Sequence, residues 1–249
     1  MIDMVSLAEA VDFALDRMDV RRGAYVVTPN TEIALLARKD PTLRAALAEA
    51  ALSLPDGAGL LLASRILGTP IPQRIAGIDF VSALLERMAG QRRSVFLLGA
   101  RAGVAARAGE ALRRACPGLV IAGTENGFFE TKDEAAILAR INASSPDLLL
   151  VCLGTPRQEL WMHQNAPLLK VGLMAGLGGA LDVFSGDVER APESWREHGL
   201  EWLYRLLRQP GRIRRDCKLP LIVPAAIAEG IIRKRENYGK RKTDRSGGH

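Results

Sequence analysis

The chain has 249 residues, 48% of them hydrophobic and 5% aromatic, and a formal charge of +6. That composition excludes a disordered or collagen-like chain, and the length fits one large α/β domain with a small appendage better than two equal domains. The charge is concentrated: residues 196–249 hold 14 Lys+Arg against 6 Asp+Glu, a net of +8, while residues 1–195 hold 20 against 22, a net of −2.

In chain order, residues 1–18 form an amphipathic pattern carrying Asp3, Glu9, Asp12 and Asp16. A secretory signal would need a basic start and an apolar stretch, so no export signal is expected here. The first strand is expected over 24–27, followed by Thr28-Pro29-Asn30 and a helix beginning near Glu32. Asp40-Pro41 supplies an N-cap and an N1 proline for a helix over 42–51. A strand over 52–54 runs into Pro55-Asp56-Gly57. Another over 94–98 runs into Gly99-Ala100-Arg101-Ala102-Gly103, and the helix after it closes at Cys116-Pro117-Gly118. A strand over 119–122 comes next, and Thr131 precedes a helix with Asp133 and Glu134 in its first turn.

The run 148–153 is apolar without interruption, as expected of a central strand buried on both faces. It leads into Gly154-Thr155-Pro156-Arg157-Gln158-Glu159. A last strand over 171–175 leads into Gly176-Leu177-Gly178-Gly179-Ala180-Leu181-Asp182. Strands alternating with helical patterns predict a Rossmann-like α/β fold: a mostly parallel sheet with helices on both faces, plus a helical basic C-terminal appendage. The expected units are a body over 1–194, an appendage over 195–239 and a disordered tail over 240–249.

Cys116, Cys152 and Cys217 are odd in number and form no C-x-x-C spacing, so neither a disulfide framework nor a zinc knuckle is indicated, and a reducing cytosol fits best. The longest largely apolar run, 219–232, has 14 residues and contains Pro220, Pro224, Glu229 and Gly230. That is short of the roughly 18 to 20 needed to span a bilayer.

In open α/β sheets ligands bind beyond the carboxyl ends of the strands, and here those ends are rich in glycine and polar residues. Glycines let backbone N–H groups approach an anion at a helix start, which points to phosphate or diphosphate. A tight βα turn is the alternative reading of any single one. Neither G-x-G-x-x-G nor G-x-x-x-x-G-K-[ST] occurs, which argues against a dinucleotide fold and a P-loop NTPase. Asp56, directly after a strand, projects where a carboxylate could take a proton from a hydroxyl. It is also an ordinary Asp-Gly turn, and Arg74 is by itself an ordinary solvated arginine.

Taken together, Thr28-Pro29-Asn30, Pro55-Asp56-Gly57, Arg74 with Gly77, Asn126-Gly127-Phe128-Phe129, Gly154-Thr155-Pro156-Arg157-Gln158-Glu159 and Gly176-Leu177-Gly178-Gly179 closely resemble the WecG/TagA/CpsF glycosyltransferases. So does Glu201-Trp202-Leu203-Tyr204-Arg205 with Pro210, Arg212 and Arg215. The resemblance covers residues 20–219 in order. It implies transfer of a sugar from a UDP-sugar to a polyprenyl-diphosphate-linked sugar at the inner membrane face, with inversion, no cofactor and no metal, in bacterial cell-surface polysaccharide assembly.

Consistent with this, the chain lacks an Asp-x-Asp pair, and His163, His198 and His249 are far apart. By resemblance Asp56 is the base, Thr28 and Asn30 line the sugar and acceptor side, Arg74 holds phosphate, and Gln158 hydrogen-bonds within the pocket. Phe128 and Asp182 fall where the family recognises uridine, and Gly99, Gly154 and Thr155 would face the UDP moiety. The family often has tyrosine where this chain has Phe128. Each position also has a structural alternative: Thr28 as a strand end, Asn30 as an N-cap, Gln158 as surface, Asp182 as a turn cap.

The basic end carries an amphipathic pattern over 195–208 with Leu200, Leu203, Leu206 and Leu207 in a stripe. Trp195, Trp202 and Tyr204, followed by Arg212, Arg214, Arg215 and Lys218, make an interfacial anchor for an anionic leaflet, while packing on the body is the alternative. By resemblance Arg205, Arg212 and Arg215 reach the lipid diphosphate. The expected location is cytoplasmic, peripheral to the inner face of the cell membrane. Nucleic acid is not expected as a partner, for want of a recognition motif, and a homo-oligomer stays open. The rival class is a nucleotide-dependent oxidoreductase. For the donor, N-acetylmannosamine is preferred over glucose and N-acetylmannosaminuronic acid.

Overall fold

The computed structural model describes residues 2–20, 23–192, 194, 195 and 204. Among them, six strands form one parallel sheet: β1 (Ala24–Val27), β2 (Leu52–Ser53), β3 (Ser94–Gly99), β4 (Val120–Glu125), β5 (Leu148–Cys152) and β6 (Leu173–Gly176), in the spatial order β2-β1-β6-β5-β3-β4. Because all strands run the same way, every carboxyl end lies on one edge. The chemistry singled out by the sequence is gathered there.

All six expected strands are present, with ends shifted by a few residues. The run from 148 supplies β5, buried at all five positions and flanked by strands on both sides, so its unbroken apolar character reports a central place. β4, at one sheet edge, begins a residue later and runs three residues further than its apolar pattern, into Thr124 and Glu125. An edge strand is wet on one side and needs no apolar continuity. At the other edge β2 has two residues, and the N-terminal segment covers it: Asp3 N–H donates to Ser53 O at 3.0 Å and Ser53 N–H to Asp3 Oδ2 at 2.8 Å.

Helices cover both faces. On one, α1 (Leu7–Val20), α5 (Gly77–Gly90), α6 (Val104–Ala115) and the short α9 (Ala180–Phe184) pack on Val26, Leu97, Leu150 and Ala175. The buried side of α1, namely Ala10, Val11, Ala14, Leu15 and Met18, has the one-face spacing of an amphipathic helix. On the other face, α7 (Thr131–Ser144) and α8 (Arg157–Asn165) pack on Phe96, Leu149, Val151 and Met174, and α3 (Pro41–Ala48) adds Leu47. α2 (Thr31–Ala37) and α4 (Ala58–Ile66) share a smaller cluster around Ala63.

Local chemistry sets the helix starts. Asp40 accepts from Thr42 and Leu43 N–H at 2.9 and 3.1 Å with Pro41 in the first turn, as expected, and the helix stops at Ala48. Ala51 N–H is instead used to meet Tyr25 O at 2.9 Å, joining the entry of β2 to β1. α7 begins at Thr131 itself, with Glu130 as the cap and Asp133 completing a reciprocal capping box. No helix among the described residues is long and apolar enough to cross a membrane. The proposed appendage and tail, 195–249, lie outside the described residues except for Trp195 and Tyr204, whose rings meet edge to face at 5.6 Å.

Candidate active site

The sheet's carboxyl edge has two neighbouring halves. The first is built where β1, β2 and β6 end. Thr28 leaves β1 with its Oγ1 donating to Gly176 O at 3.1 Å, which ties the end of β1 to the end of β6. Asn30 caps α2, its Oδ1 accepting from Ile33 N–H at 3.0 Å, so the capping role foreseen for it is real. Asp56 N–H donates to Pro29 O at 3.0 Å and Ile75 N–H to Pro55 O at 2.9 Å. These bonds bring the turns after β1 and β2 and the segment carrying Arg74 together.

The Asp56 carboxylate is held from two directions. Arg74 Nε and Nη2 both approach Oδ1, at 3.3 and 3.2 Å, and Gly77 N–H, in the first turn of α5, donates to Oδ2 at 3.3 Å. A carboxylate at a helix N-terminus also gains from the orphan N–H groups and the helix dipole. Asp56 is 31% exposed and Arg74 22%, so the pair is fixed and still open to a ligand.

Two glycines are required by this geometry. Gly57 has φ +127°, a conformation that side chains disfavour, and it turns the chain from Asp56 into α4. At Gly77 a Cβ would lie 2.9 Å from Leu177 Cδ2 and 3.2 Å from Thr28 Cγ2. Only a glycine lets α5 come close enough for its first-turn N–H to reach Asp56.

The second half lies where β5, β3 and β4 end. Gly99 pairs with Cys152 across β3 and β5, and Ala100 N–H donates to Cys152 O at 3.3 Å. The loop after β4 folds over this point, with Gly127 N–H donating to Ala100 O at 2.8 Å. Phe128 projects from that loop, 75% exposed, its N–H held by Asn126 Oδ1 at 3.0 Å. Asp182, in the first turn of α9, is near enough to Cys152 for its charge to act on the thiol. Burial pushes the Cys152 thiol up to about 12, which leaves it inert as a nucleophile.

α8 joins the halves through adjacent residues. Gly154 O receives Gln158 N–H at 2.9 Å, opening the helix after Thr155. Arg157 turns toward the second half: Nη1 donates to Gly127 O at 2.8 Å, and the guanidinium lies 4.6 Å from the Phe129 ring centroid. Gln158 turns toward the first. Its Oε1 accepts from Gly178 N–H at 2.9 Å and its Nε2 donates to Glu159 Oε1 at 2.8 Å. Gln158 is 2% exposed, so the surface alternative falls, and its visible work is to hold the glycine-rich turn after β6.

Glu159, 0% exposed, was given no role by sequence. Burial pushes its carboxyl up to about 7, against the opposing pull of Gln158, its own backbone N–H and Thr155, while Glu32 adds a smaller push upward. Arg157 was missed as well. Its signal, a cation next to Gln158 at a strand end, is no different from that of any solvated arginine.

His163 is remote from the site, on α8 beside Tyr25 Oη at 3.2 Å and Glu49 Oε2 at 3.5 Å. Among the described residues no group of three His, Cys, Asp or Glu could hold a metal ion. Arg205, Arg212 and Arg215 lie outside the described residues.

A glycosyltransferase model, that of the WecG/TagA/CpsF family, matches residues 1–236, running through the body and into the basic end. The chain belongs to the WecG/TagA/CpsF glycosyltransferase family. An N-acetylglucosaminyldiphosphoundecaprenol N-acetyl-beta-D-mannosaminyltransferase of Bacillus spizizenii, strain W23, is 38% identical over 229 residues, 92% of this chain and 88% of that protein. Family membership removes the oxidoreductase alternative and makes this chain a glycosyltransferase.

Proposed function

We propose that the protein transfers N-acetylmannosamine from its UDP-sugar to the sugar of N-acetylglucosaminyl-diphosphoundecaprenol, with inversion, in assembly of a cell-surface polysaccharide. The choice of sugars follows the reaction in the name of the Bacillus spizizenii relative. The observation that carries the chemistry is the Asp56 carboxylate, fixed by Arg74 and by the first turn of α5 yet open to solvent.

In the proposed step an acceptor hydroxyl gives its proton to Asp56 while its oxygen bonds the anomeric carbon. The bond from that carbon to the diphosphate oxygen breaks, and UDP leaves with the electron pair. Attack from the face opposite the leaving group inverts the configuration. Arg74 orients the base through Oδ1 and places a cation beside the reacting groups. Thr28 and Asn30 border the acceptor side, with Asn30's carbonyl oxygen already engaged as a cap.

On the donor side, Gly99, Gly154, Thr155, Phe128 and Asp182 surround the position proposed for UDP. The exposed Phe128 ring offers a face for the base. Arg205, Arg212 and Arg215 are assigned to the lipid diphosphate, with arginines rather than a metal offsetting its charge. The net charge of +8 over 196–249 supports docking of that end on an anionic leaflet, where each cation contributes about 1 kcal/mol.

The test is a screen of UDP-N-acetylmannosamine, UDP-glucose and UDP-N-acetylmannosaminuronic acid against N-acetylglucosaminyl-diphosphoundecaprenol, with the anomeric configuration of the product read by NMR. Inverted product from UDP-N-acetylmannosamine is expected. Transfer from another donor alone would replace the proposed sugar, and a retained configuration would remove the single-displacement mechanism.

A further inference from the structure

Glu159 is the residue the proposed reaction leaves unused, and its surroundings are unusual. The side chain is sealed from solvent, and its Oε2 has no hydrogen-bond partner. Burying a carboxyl with one oxygen unsatisfied costs stability, so an apolar or amide side chain would pack there with less penalty. Its other oxygen makes one short bond, to Gln158 Nε2 at 2.8 Å, and a long one from Thr155 Oγ1 at 3.5 Å.

The bond to Gln158 is the first of a chain. The Gly178 N–H can only donate, so it fixes Oε1 of Gln158 toward itself and turns the amide NH2 toward Glu159, which must then accept. A Cβ on Gly176 would lie 3.2 Å from Gln158 Nε2, so the amide also lies against the end of β6. Gly176 O in turn receives Thr28 Oγ1, and Leu177 lies against Gly77, whose N–H reaches Asp56. The buried carboxylate is thus the far end of a contact path that leads through turn 176–179 to the reacting edge.

We propose that Glu159 is a positioning residue that, through the Gln158 amide, sets the placement of turn 176–179 and with it Thr28 at the site. The inference rests on the glycosyl-transfer reading for its catalytic consequence, not for the hydrogen-bond path. An ionised Glu159 accepts from Nε2 more strongly than a neutral one, because charge-assisted bonds are roughly twice as strong. With the carboxyl held near 7, both forms are present at neutral pH and the grip on the turn varies with pH.

Other titratable groups lie on or against α8, among them His163 on the helix itself and Glu134 of α7, which accepts from Asn165 Nδ2 at 3.1 Å, and Glu159→Gln separates their contribution from that of Glu159. β5 and β6 face α8 with apolar residues, and the short 3-10 turn Ala166–Leu168 has no titratable side chain. α2 brings Glu32, which acts on Glu159. β1 and the end of α3 bring Tyr25 and Glu49, which gather around His163 further along the helix. Tyr25 is itself pushed up to about 12 by burial, beyond the range concerned.

The sign follows from the raised value. The folded carboxyl titrates at about 7 against an ordinary 4.5, so its contribution to stability is fully present below pH 4.5 and is lost as pH rises to about 7.

The test uses the full chain and three variants, Glu159→Gln, Glu159→Ala and Glu159→Asp. In 15N-labelled wild type, the Gln158 side-chain amide, assigned by its loss in Gln158→Met, and the Gly178 backbone amide should shift together with a midpoint near pH 7. In Glu159→Gln both should be flat. The melting temperature of wild type should fall relative to Glu159→Gln between pH 4.5 and 7 and run parallel above.

In transfer assays, Glu159→Ala should lose about 10- to 100-fold in kcat with donor KM changed by less than about twofold. Glu159→Gln, which keeps an acceptor for Nε2, should recover most of the rate and lose the inflection near pH 7. Glu159→Asp, too short to reach Nε2, should resemble the alanine variant. A wild-type kcat in Glu159→Ala, or amide titrations that persist in Glu159→Gln, would overturn the proposal. If wild type transfers no sugar from any UDP donor, the functional reading fails separately, and the two amide titrations still decide whether Glu159 holds the turn.

Discussion

Asp56→Asn changes one atom, and the geometry makes that atom matter. Oδ1 of Asp56 receives two Arg74 donors and Oδ2 receives Gly77 N–H. An asparagine has one acceptor and one donor group. If its oxygen faces Arg74, its NH2 meets Gly77 N–H, and if it flips, its NH2 meets the guanidinium. Either orientation sets a donor against a donor, and the ion pair is lost.

A hydrogen bond to a charged group contributes about 1.5–3 kcal/mol, but Asp56 and Arg74 are 31% and 22% exposed, so solvent screening reduces this to about 1–2 kcal/mol. At roughly 2–4 °C per kcal/mol for a chain of this size, the melting temperature should fall by about 2–8 °C. The rate should fall far more, by about 10²–10⁴ in kcat, because the proposed proton acceptor is gone. The assay is transfer to the lipid-linked acceptor at 25 °C, where the variant remains folded, with UDP binding followed by thermal shift. UDP should still stabilise the variant, since the half proposed for the nucleotide is untouched. A kcat within tenfold of wild type would refute the role of Asp56 as base.

Gly77→Ala should place its methyl against Leu177 and Thr28, cost about 1–3 kcal/mol by overpacking, and lower kcat as Gly77 N–H is drawn off Asp56; an unchanged rate would show that this N–H is dispensable. Arg157→Ala frees the Gly127 carbonyl and the Phe129 ring, so donor KM should rise about tenfold while kcat holds; steady-state kinetics with varied donor checks the split. In a Cys217→Ser background, Cys116 and Cys152, whose thiols burial pushes up, should resist a thiol reagent at pH 8 until the protein unfolds; rapid labelling of the native protein would contradict the packing around them.

The sheet was legible because its signals are local. Leu148, Leu149, Leu150 and Val151 form an unbroken apolar run that marks the sheet's centre, and Asp40-Pro41 marks a helix start by its own hydrogen bonds. α4 and α5 carry no comparable mark in the sequence: Gly57 and Ala76 stand at their starts without a side-chain cap, and tertiary contacts place them. Thr28, Asp56 and Asp182 could be placed on one edge because parallel strands put every carboxyl end there. The partnership of Arg74 with Asp56 could not, as it depends on a bond between Ile75 and Pro55 that no local pattern announces. Glu159 was hidden for a related reason. Between Gln158 and Leu160 it looks like a polar helix start, and only the packing of α8 on the sheet seals it.

The neighbouring positions Arg157 and Gln158 are separated by one peptide bond, whereas the turns they grip, at Gly127 and Gly178, come from different strand ends, after β4 and after β6. The spacing of the two halves is thereby set by covalent geometry and not by loop length. With the donor in the second half as proposed, loops of different length and sequence could be exchanged after β4 to suit another sugar nucleotide, provided an arginine at 157 finds a carbonyl to hold, and the half around Asp56 would keep its register throughout.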